Sequence, residues 1–416
     1  MEAEHMSFVR KSTSLKPIKD TVFVVAATAA KDQDPSTCNA TIGSLYDENG
    51  QLVAYDSVYD HYDSISHIHK AKYAASFTGN NDFRKAVASW VFQGTEMHLP
   101  HTVIATPGGS GADFMAIRNT LEEGDTLLIP DICWGSYSLM AAMNNISIRR
   151  YTMFESDHFN LASVKEEIEA IQKTQDHVTL VVNDPCHNPT GYSMSDQEWK
   201  DLIALLNEEG KKTPIVLIDD IAYIDYAYNP KMRAYMNHFN EISGNVMIVV
   251  AFSCSKTMTA YGLRCGAAVA VAKNEADVRA MEIVMEKTAR ATWSSIPNAA
   301  MEEFVWLTSE GLDAYLKEKQ GYIDLLRERS GIFLQEAKEC SLPCWPYKEG
   351  FFVTVKVENP EDLDPVHDAL MNAHIYTVEV NKGIRVAVCS LPVKKVKGLA
   401  ARMKAVFDAY YGRKGK

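Results

Sequence analysis

The 416-residue chain has no stretch approaching the roughly 20 consecutive apolar residues of a membrane helix, so no span is expected. It has no visible low-complexity linker, internal repeat or long block of like charge. The eight cysteines (38, 133, 186, 254, 265, 340, 344 and 389) form no CxxC pair, and several lie in apolar or glycine-rich runs. They read as reduced thiols of a cytoplasmic protein, not as disulfides or zinc ligands, and no metal site is expected. Positive charge is also short: 42 Lys and Arg against 54 Asp and Glu leave a net charge of −12. A general nucleic-acid binder carries the opposite sign, so that class is set aside. Thr21 to Ala30, after Arg10 and Lys11, imitates a signal peptide with a small-residue cleavage site. That run is short and opens after Asp20, so it reads as part of the folded chain, while Met1 to His5 reads as an appended remnant.

What remains is an ordinary globular composition, 46% hydrophobic and 23% charged, in a chain too long for one ordinary core. Short β-branched runs predict buried strands at His101 to Ala105, Thr126 to Pro130, Val178 to Asn183, Pro214 to Asp219, Val246 to Phe252 and Ala267 to Val271. Helical periodicity lies between them, over Ala112 to Leu121, Asp196 to Asn207 and Glu275 to Thr288. This alternation predicts an α/β fold, a mostly parallel sheet with helices on both faces. After Pro297 a long helix, Asn298 to Lys338, precedes strands at Phe351 to Val357 and Ile384 to Ser390 and a helix over Val393 to Tyr411. That region predicts a smaller α+β unit.

Four motifs fall at predicted strand ends, where open α/β sheets bind ligands. Lys256 sits in Ser253-Cys254-Ser255-Lys256, a hydroxyl-rich turn with Arg264 eight residues on. An amine there is an imine-forming nucleophile if desolvation or a nearby cation lowers its pKa; otherwise it is a solvated surface lysine. Thr106-Pro107-Gly108-Gly109-Ser110-Gly111-Ala112 leaves a strand and opens a helix, so free N–H groups could meet a phosphate. It lacks the Gly-Lys-Ser/Thr of a Walker loop, and Phe114 replaces the third glycine of a dinucleotide fingerprint. In Asn183-Asp184-Pro185-Cys186-His187-Asn188-Pro189-Thr190-Gly191, Asn188 can donate to a phenolate-like oxygen, and His187 reads as structural. In Asp219-Asp220-Ile221-Ala222-Tyr223, one acid could pair with a protonated ring nitrogen and the other cap a helix; alternation does not say which. Together these supply what pyridoxal 5′-phosphate needs: an anion cup, an imine-forming amine, an acid for the ring nitrogen and donors for a ring oxygen.

On these motifs, in order and at family spacing from about Asp20 to Tyr411, the chain resembles the class I aminotransferases of the aspartate and aromatic type. The resemblance implies a fold-type I pyridoxal-phosphate enzyme: a large domain with a mostly parallel seven-stranded sheet flanked by helices, plus a smaller α+β domain. It places an amino-terminal arm and part of the small domain in residues 1–50, the large domain in 51–310 and the small domain in 311–416. It further implies catalytic roles for Lys256, Asp220 and Tyr223, and cofactor contacts from Gly109, Ser110, Trp134, Asn188, Ser253, Ser255 and Arg264. Tyr73 and Ser294 would reach the cofactor phosphate of a second copy, so a homodimer with shared sites is implied. Substrate would meet Gly43, Trp134, Asn188, Arg385 on the α-carboxylate, and Arg290 on the distal carboxylate of a dicarboxylic acid. Arg290 can also be read as a solvated helix-end charge.

The implied reaction moves an α-amino group between an aromatic or acidic L-amino acid and 2-oxoglutarate in two half-reactions. Its partners are small amino acids and 2-oxo acids, with no nucleic acid and no membrane. The same cofactor would also serve a β-lyase or decarboxylase. A regulator sensing the cofactor is disfavoured, since the roughly 20 residues before the matching region leave no room for a DNA-binding domain. Two positions depart from the family: Tyr137 and Asn183 stand where histidines commonly support the acid at the pyridine nitrogen. Both can still hydrogen-bond a carboxylate.

Overall fold

The computed structural model describes residues 8–10, 13–17, 21–357 and 359–414, so the reading of Met1 to His5 lies outside the described residues. Seven strands form the central sheet: β1 His101–Thr106, β2 Thr126–Pro130, β3 Ser147–Tyr151, β4 Val178–Asn183, β5 Ile215–Asp220, β6 Val246–Ser253 and β7 Gly266–Ala272. Their order is β1-β7-β6-β5-β4-β2-β3, with β7 antiparallel to both neighbours and the other pairs parallel. The strand missing from the sequence reading is β3, whose Ser-Ile-Arg-Arg-Tyr is charged because it is an edge.

Consecutive residues of the inner strands enter different cores, as the two-residue period of a strand requires. Leu217 and Val250 pack into one cluster, and Ile218 and Val249 into the cluster on the other face. Helix Asp196–Glu209 opens with a capping box: Ser195 Oγ accepts the Glu198 N–H at 3.2 Å, and Glu198 accepts the Ser195 N–H at 2.7 Å.

Strand register brings the sequence motifs to one rim. Asn183 lies opposite Asp220, and Asp220 opposite Ala251. Gly266, the first residue of β7, pairs with Thr106 on one side and Ser253 on the other. The carboxyl ends of β1, β4, β5 and β6 therefore end together.

The expected long helix over Asn298 to Lys338 is two helices, Asn298–Leu307 and Leu312–Glu339. The chain turns at Gly311, whose N–H bonds the Trp306 carbonyl at 2.9 Å and where a Cβ would meet the Trp306 ring at 2.4 Å. Beyond it, strands β8 Phe352–Lys356, β9 Val378–Val380 and β10 Gly383–Ala387 form an antiparallel sheet in the order β8-β10-β9. The expected strand over Ile384 to Ser390 ends at Ala387 and tightens into a 3₁₀ turn, Val388–Ser390. The closing helix divides at Gly398, which has a φ of +78°.

The amino-terminal segment is built into this second unit. Cys38–Asn39 pairs parallel with Ile375–Tyr376, and the run that imitates a signal peptide is the helix Thr21–Ala29, with Val25 and Ala29 against Tyr376. Arg329, fully buried, pairs with Glu48 at 2.7 Å and donates to the Cys389 carbonyl at 3.0 Å. No helix among the described residues is long and apolar enough to cross a membrane.

Candidate active site

At the rim lies a cavity of about 970 Å³ between the sheet, the amino-terminal segment and the second unit. It is lined by Gly43, Gly109, Ser110, Trp134, Asn188, Asp220, Tyr223, Ser253, Ser255, Lys256, Arg264 and Arg385. Segments far apart in sequence thus converge on one volume.

Lys256 follows β6 in the short helix Cys254–Thr257, and its Nζ donates to the Gly43 carbonyl at 2.9 Å. Tyr261 and Tyr223 present their rings to the ammonium at 4.7 and 5.6 Å. Burial lowers its pKa to about 8, with Cys389 opposing and the Arg385 and Arg264 charges adding to the fall. A Cβ at Gly43 would meet the buried Phe352 ring at 2.8 Å, so a larger residue there would displace that ring.

An anion cup occupies one end. Helix Gly108–Thr120 starts at the first glycine of its motif, four residues earlier than expected, and no side chain caps its first N–H groups. Arg264 lies across this end, donating to Ser255 Oγ at 3.0 Å and to the carbonyls of Tyr261 and Pro107 at 2.7 and 3.1 Å. Gly108, at a φ of +73°, leaves room for that guanidinium, which a Cβ would meet at 2.3 Å.

At the other end is Asp220, buried, where β5 stops. Tyr137 donates to its Oδ2 at 2.5 Å and the Ala222 N–H to its Oδ1 at 3.0 Å. Asn183 does not reach the carboxylate: its amide donates to the Asp220 main-chain carbonyl at 2.7 Å and accepts the Asn188 N–H at 2.7 Å. Asp219 is turned to the other face and accepts from Tyr235 at 2.8 Å, so the structure resolves which acid faces the cavity. The sequence reading missed Asp113, a third acid. It lies on helix Gly108–Thr120, is 1% exposed and also lines the cavity. Only its place one turn into the helix after the glycine motif could have signalled it.

Arg385, on β10, donates to Asn188 Oδ1 at 3.2 Å and to the Thr41 carbonyl at 2.9 Å, while its buried Nε has no partner among the described residues. Because Asn188 Oδ1 accepts from Arg385, the Asn188 Nδ2 is left as a donor. Trp134 stands edge-to-face with Tyr137, with centroids 5.4 Å apart. His187 is fully buried, 2.8 Å from Thr190 Oγ1, and burial lowers its pKa to about 3, which suits a structural role.

Beneath the lysine turn, buried Asp225 accepts from Thr257 at 2.6 Å, Arg233 at 2.9 Å, Trp90 at 3.1 Å and Lys319 at 3.4 Å. Burial works to raise its pKa, but Lys319 and Arg233 outweigh that and hold the carboxyl well below its usual range.

Tyr73, Arg290 and Ser294 are not brought to this cavity. Tyr73 is 87% exposed, and Arg290, also exposed, donates to Ser294 at 2.8 Å and lies 4.7 Å over the Phe77 ring.

With this geometry in place, similarity to known proteins is decisive. Residues 42–403 match the family model described as aminotransferase class I and II. The chain belongs to that family. It is an aminotransferase of a pyridoxal-phosphate-dependent family, and its α/β architecture is fold type I. A solved aminotransferase from Anaerococcus prevotii is 32% identical, with a TM-score of 0.92 over 96% of this chain and 99% of that one. The mitochondrial aspartate aminotransferase of Dictyostelium discoideum is 23% identical over 408 residues, 93% of this chain and 91% of its own length. The aromatic-amino-acid aminotransferase of Burkholderia pseudomallei, described as covalently bound to pyridoxal phosphate, shares the fold at 19% identity and a TM-score of 0.78, over 96% of this chain and 100% of its own.

Proposed function

We propose that the cavity holds pyridoxal phosphate and that the protein moves the α-amino group between an acidic or aromatic L-amino acid and 2-oxoglutarate. The observation that carries this reading is the convergence of Lys256, Asp220, Arg264 and Arg385 on one cavity, with the amine's pKa lowered to about 8.

The donor set fits the cofactor. The uncapped start of helix Gly108–Thr120, Ser110, Ser253, Ser255 and Arg264 would hold its phosphate. Asp220 would accept from the ring nitrogen, Tyr223 and the free Asn188 Nδ2 would donate to the ring oxygen, and Trp134 would cover a ring face. Bound there, the cofactor supplies an aldehyde for imine formation and a ring that acts as an electron sink.

The chain's own residues supply positioning and proton transfer. Lys256 Nζ, neutral in part because burial lowers its pKa, would act as the base that takes the α-proton and the acid that gives it back. Arg385 receives the α-carboxylate through its fork, with the unpartnered Nε as one prong. Gly43 and the arm residues lining the cavity, Lys16 and Phe23 among them, border the substrate space.

Three positions need a second copy. Tyr73 and Arg290 stand exposed and Ser294 half-buried, none of them lining their own chain's cavity, which suits contributions to a neighbouring site in a homodimer. There Arg290 would take the distal carboxylate of glutamate or 2-oxoglutarate. An acidic chain whose eight cysteines are all free suits the cytoplasm.

The test is incubation of the loaded protein with aspartate, glutamate, tyrosine or phenylalanine and 2-oxoglutarate, with product oxo acids read by mass. The reading expects the matching oxo acid and no free ammonia. Ammonia and pyruvate released without an acceptor would replace it with β-elimination.

A further inference from the structure

Two turns that each deliver a residue to the cavity are tied to one another. Asp131 follows β2, and three residues on stands Trp134; Lys382 lies in the turn between β9 and β10, and three residues on stands Arg385. Lys382 Nζ pairs with Asp131 Oδ2, and Asn381 Nδ2 donates to the Asp131 main-chain carbonyl at 2.9 Å. Asp131 is itself fixed to the edge of the sheet: its N–H donates to the Tyr151 carbonyl at 2.9 Å, and its Oδ1 accepts the Met153 N–H at 3.0 Å. The Lys382 carbonyl is held in turn by Trp345 Nε1 at 3.0 Å.

The lysine stands where the backbone does not favour it. Its φ is +62°, a left-handed conformation that suits glycine or asparagine in a tight hairpin turn. A bulky residue held there at a backbone cost points to a role for its side chain. Below the other turn, the guanidinium of Arg150, from β3, grips both flanks of Trp134: it donates to the Pro130 carbonyl at 3.1 Å, to Cys133 Sγ at 3.6 Å and to Ser138 Oγ at 3.1 Å. The Trp134 turn is thus anchored to the sheet, and the hairpin is referenced to it through Asp131. Arg385 also touches Asn188 directly, but a bound carboxylate competes for that guanidinium. The contact on Asp131 involves no binding group and persists while substrate is held.

We propose that Asp131 and Lys382 are positioning residues for the substrate α-carboxylate: their pair sets the spacing between Arg385 and the ring face that Trp134 covers. The proposal rests on the cofactor reading above and adds two residues that touch neither cofactor nor substrate. Every amino acid and oxo acid presents the same carboxylate next to the reacting carbon. Loosening the pair therefore acts on all of them alike, whatever their side chain. A misplacement of about 1 Å costs up to about 100-fold. Lys382 is 40% exposed, however, and solvent screens such an ion pair, so the expected loss is only about fivefold.

The test compares Lys382→Met with Lys382→Arg in the protein loaded with pyridoxal phosphate. Methionine keeps the aliphatic stem and makes the same backbone demand, and arginine keeps the charge. K382M should raise KM about fivefold for glutamate, phenylalanine and 2-oxoglutarate together. Its kcat and cofactor affinity should stay within about twofold, because the carboxylate contact binds ground state and transition state alike. K382R should behave as the wild type. Asp131→Asn keeps an acceptor for the Met153 N–H and should give the same rise, with no further rise in the double variant. The K382M to wild-type ratio of KM should shrink as salt rises, since only the wild type has a pair to screen. Unchanged KM in K382M, a loss confined to one substrate class, a K382R that fails as K382M does, or independent losses in the double variant would overturn the proposal.

A second readout needs no turnover. Hydrogen exchange followed by mass spectrometry, on the protein with and without pyridoxal phosphate, should rise in K382M over residues 378–385 and over residues 131–138 together, and in neither segment in K382R. Faster exchange in the hairpin alone, or in neither segment, would contradict the coupling. Failure of the wild type to take up pyridoxal phosphate would sink the cofactor reading instead, a separate outcome that leaves the exchange comparison to decide the pair.

Discussion

The Nζ of Lys256 donates to the carbonyl of Gly43 at 2.9 Å, joining residues 213 apart in sequence. The bond ties the amino-terminal segment to the rim, where the Phe352 ring packs so close that a Cβ at position 43 would lie 2.8 Å from it. A lysine so enclosed is desolvated, which sets its reactivity.

Because burial lowers the Lys256 pKa to about 8, the neutral amine is already abundant near neutral pH. The rate of pyridoxal phosphate capture by the stripped protein should rise about tenfold per pH unit below pH 8 and level off above it. Stopped-flow absorbance checks this. A rise continuing to about pH 10.5, the value for an ordinary lysine, would contradict the desolvated setting.

Tyr137→Phe removes the 2.5 Å hydrogen bond to Asp220 and leaves a buried carboxylate less stabilised. A hydrogen bond to a charged group contributes about 1.5–3 kcal/mol, so cofactor affinity should weaken about 10- to 100-fold. Equilibrium dialysis reads this, and unchanged affinity would remove Tyr137 from the support of Asp220.

The two arginines separate by substrate. Arg385→Lys keeps the charge but loses the fork, and should lower kcat/KM for every amino acid by about 10- to 100-fold with little change in cofactor affinity. Arg290→Ala should cost a similar factor for glutamate and aspartate while leaving phenylalanine within about twofold. Steady-state kinetics on the panel decides, and equal losses for phenylalanine and glutamate would exclude a distal-carboxylate role for Arg290.

Asp225→Ala would leave the buried Lys319 and the half-buried Arg233 without their shared anion. Breaking a buried ion pair in this way costs about 3–5 kcal/mol, read as a lower denaturant midpoint. Stability equal to the wild type would show that the cluster does not hold the lysine turn.

How much of this was legible beforehand depends on the kind of signal. Strand ends were readable because buried parallel strands are continuous apolar runs, and the polar residues that stop them, Asn183, Asp220 and Ser253, are the ones at the rim. The edge strand Ser147–Tyr151 was not, because its adjacent Arg149 and Arg150 break the apolar run that marks a buried strand. Sequence showed that Asn183 and Tyr137 replace expected histidines, but not that only Tyr137 reaches the carboxylate. The division depends on register, which sets Asn183 opposite Asp220 and turns its amide onto the main chain. Asp113 was invisible for a related reason. An acid inside a helix reads as ordinary until tertiary packing shows that it is buried in the cavity wall.

The most direct test of the central claim is the absorbance spectrum of the protein loaded with pyridoxal phosphate, recorded before and after glutamate and again after 2-oxoglutarate. The account predicts that the band of the lysine-bound cofactor bleaches with glutamate, returns with 2-oxoglutarate, and does not cycle in Lys256→Ala. A protein that takes up no cofactor, or whose band no amino acid alters, would contradict it.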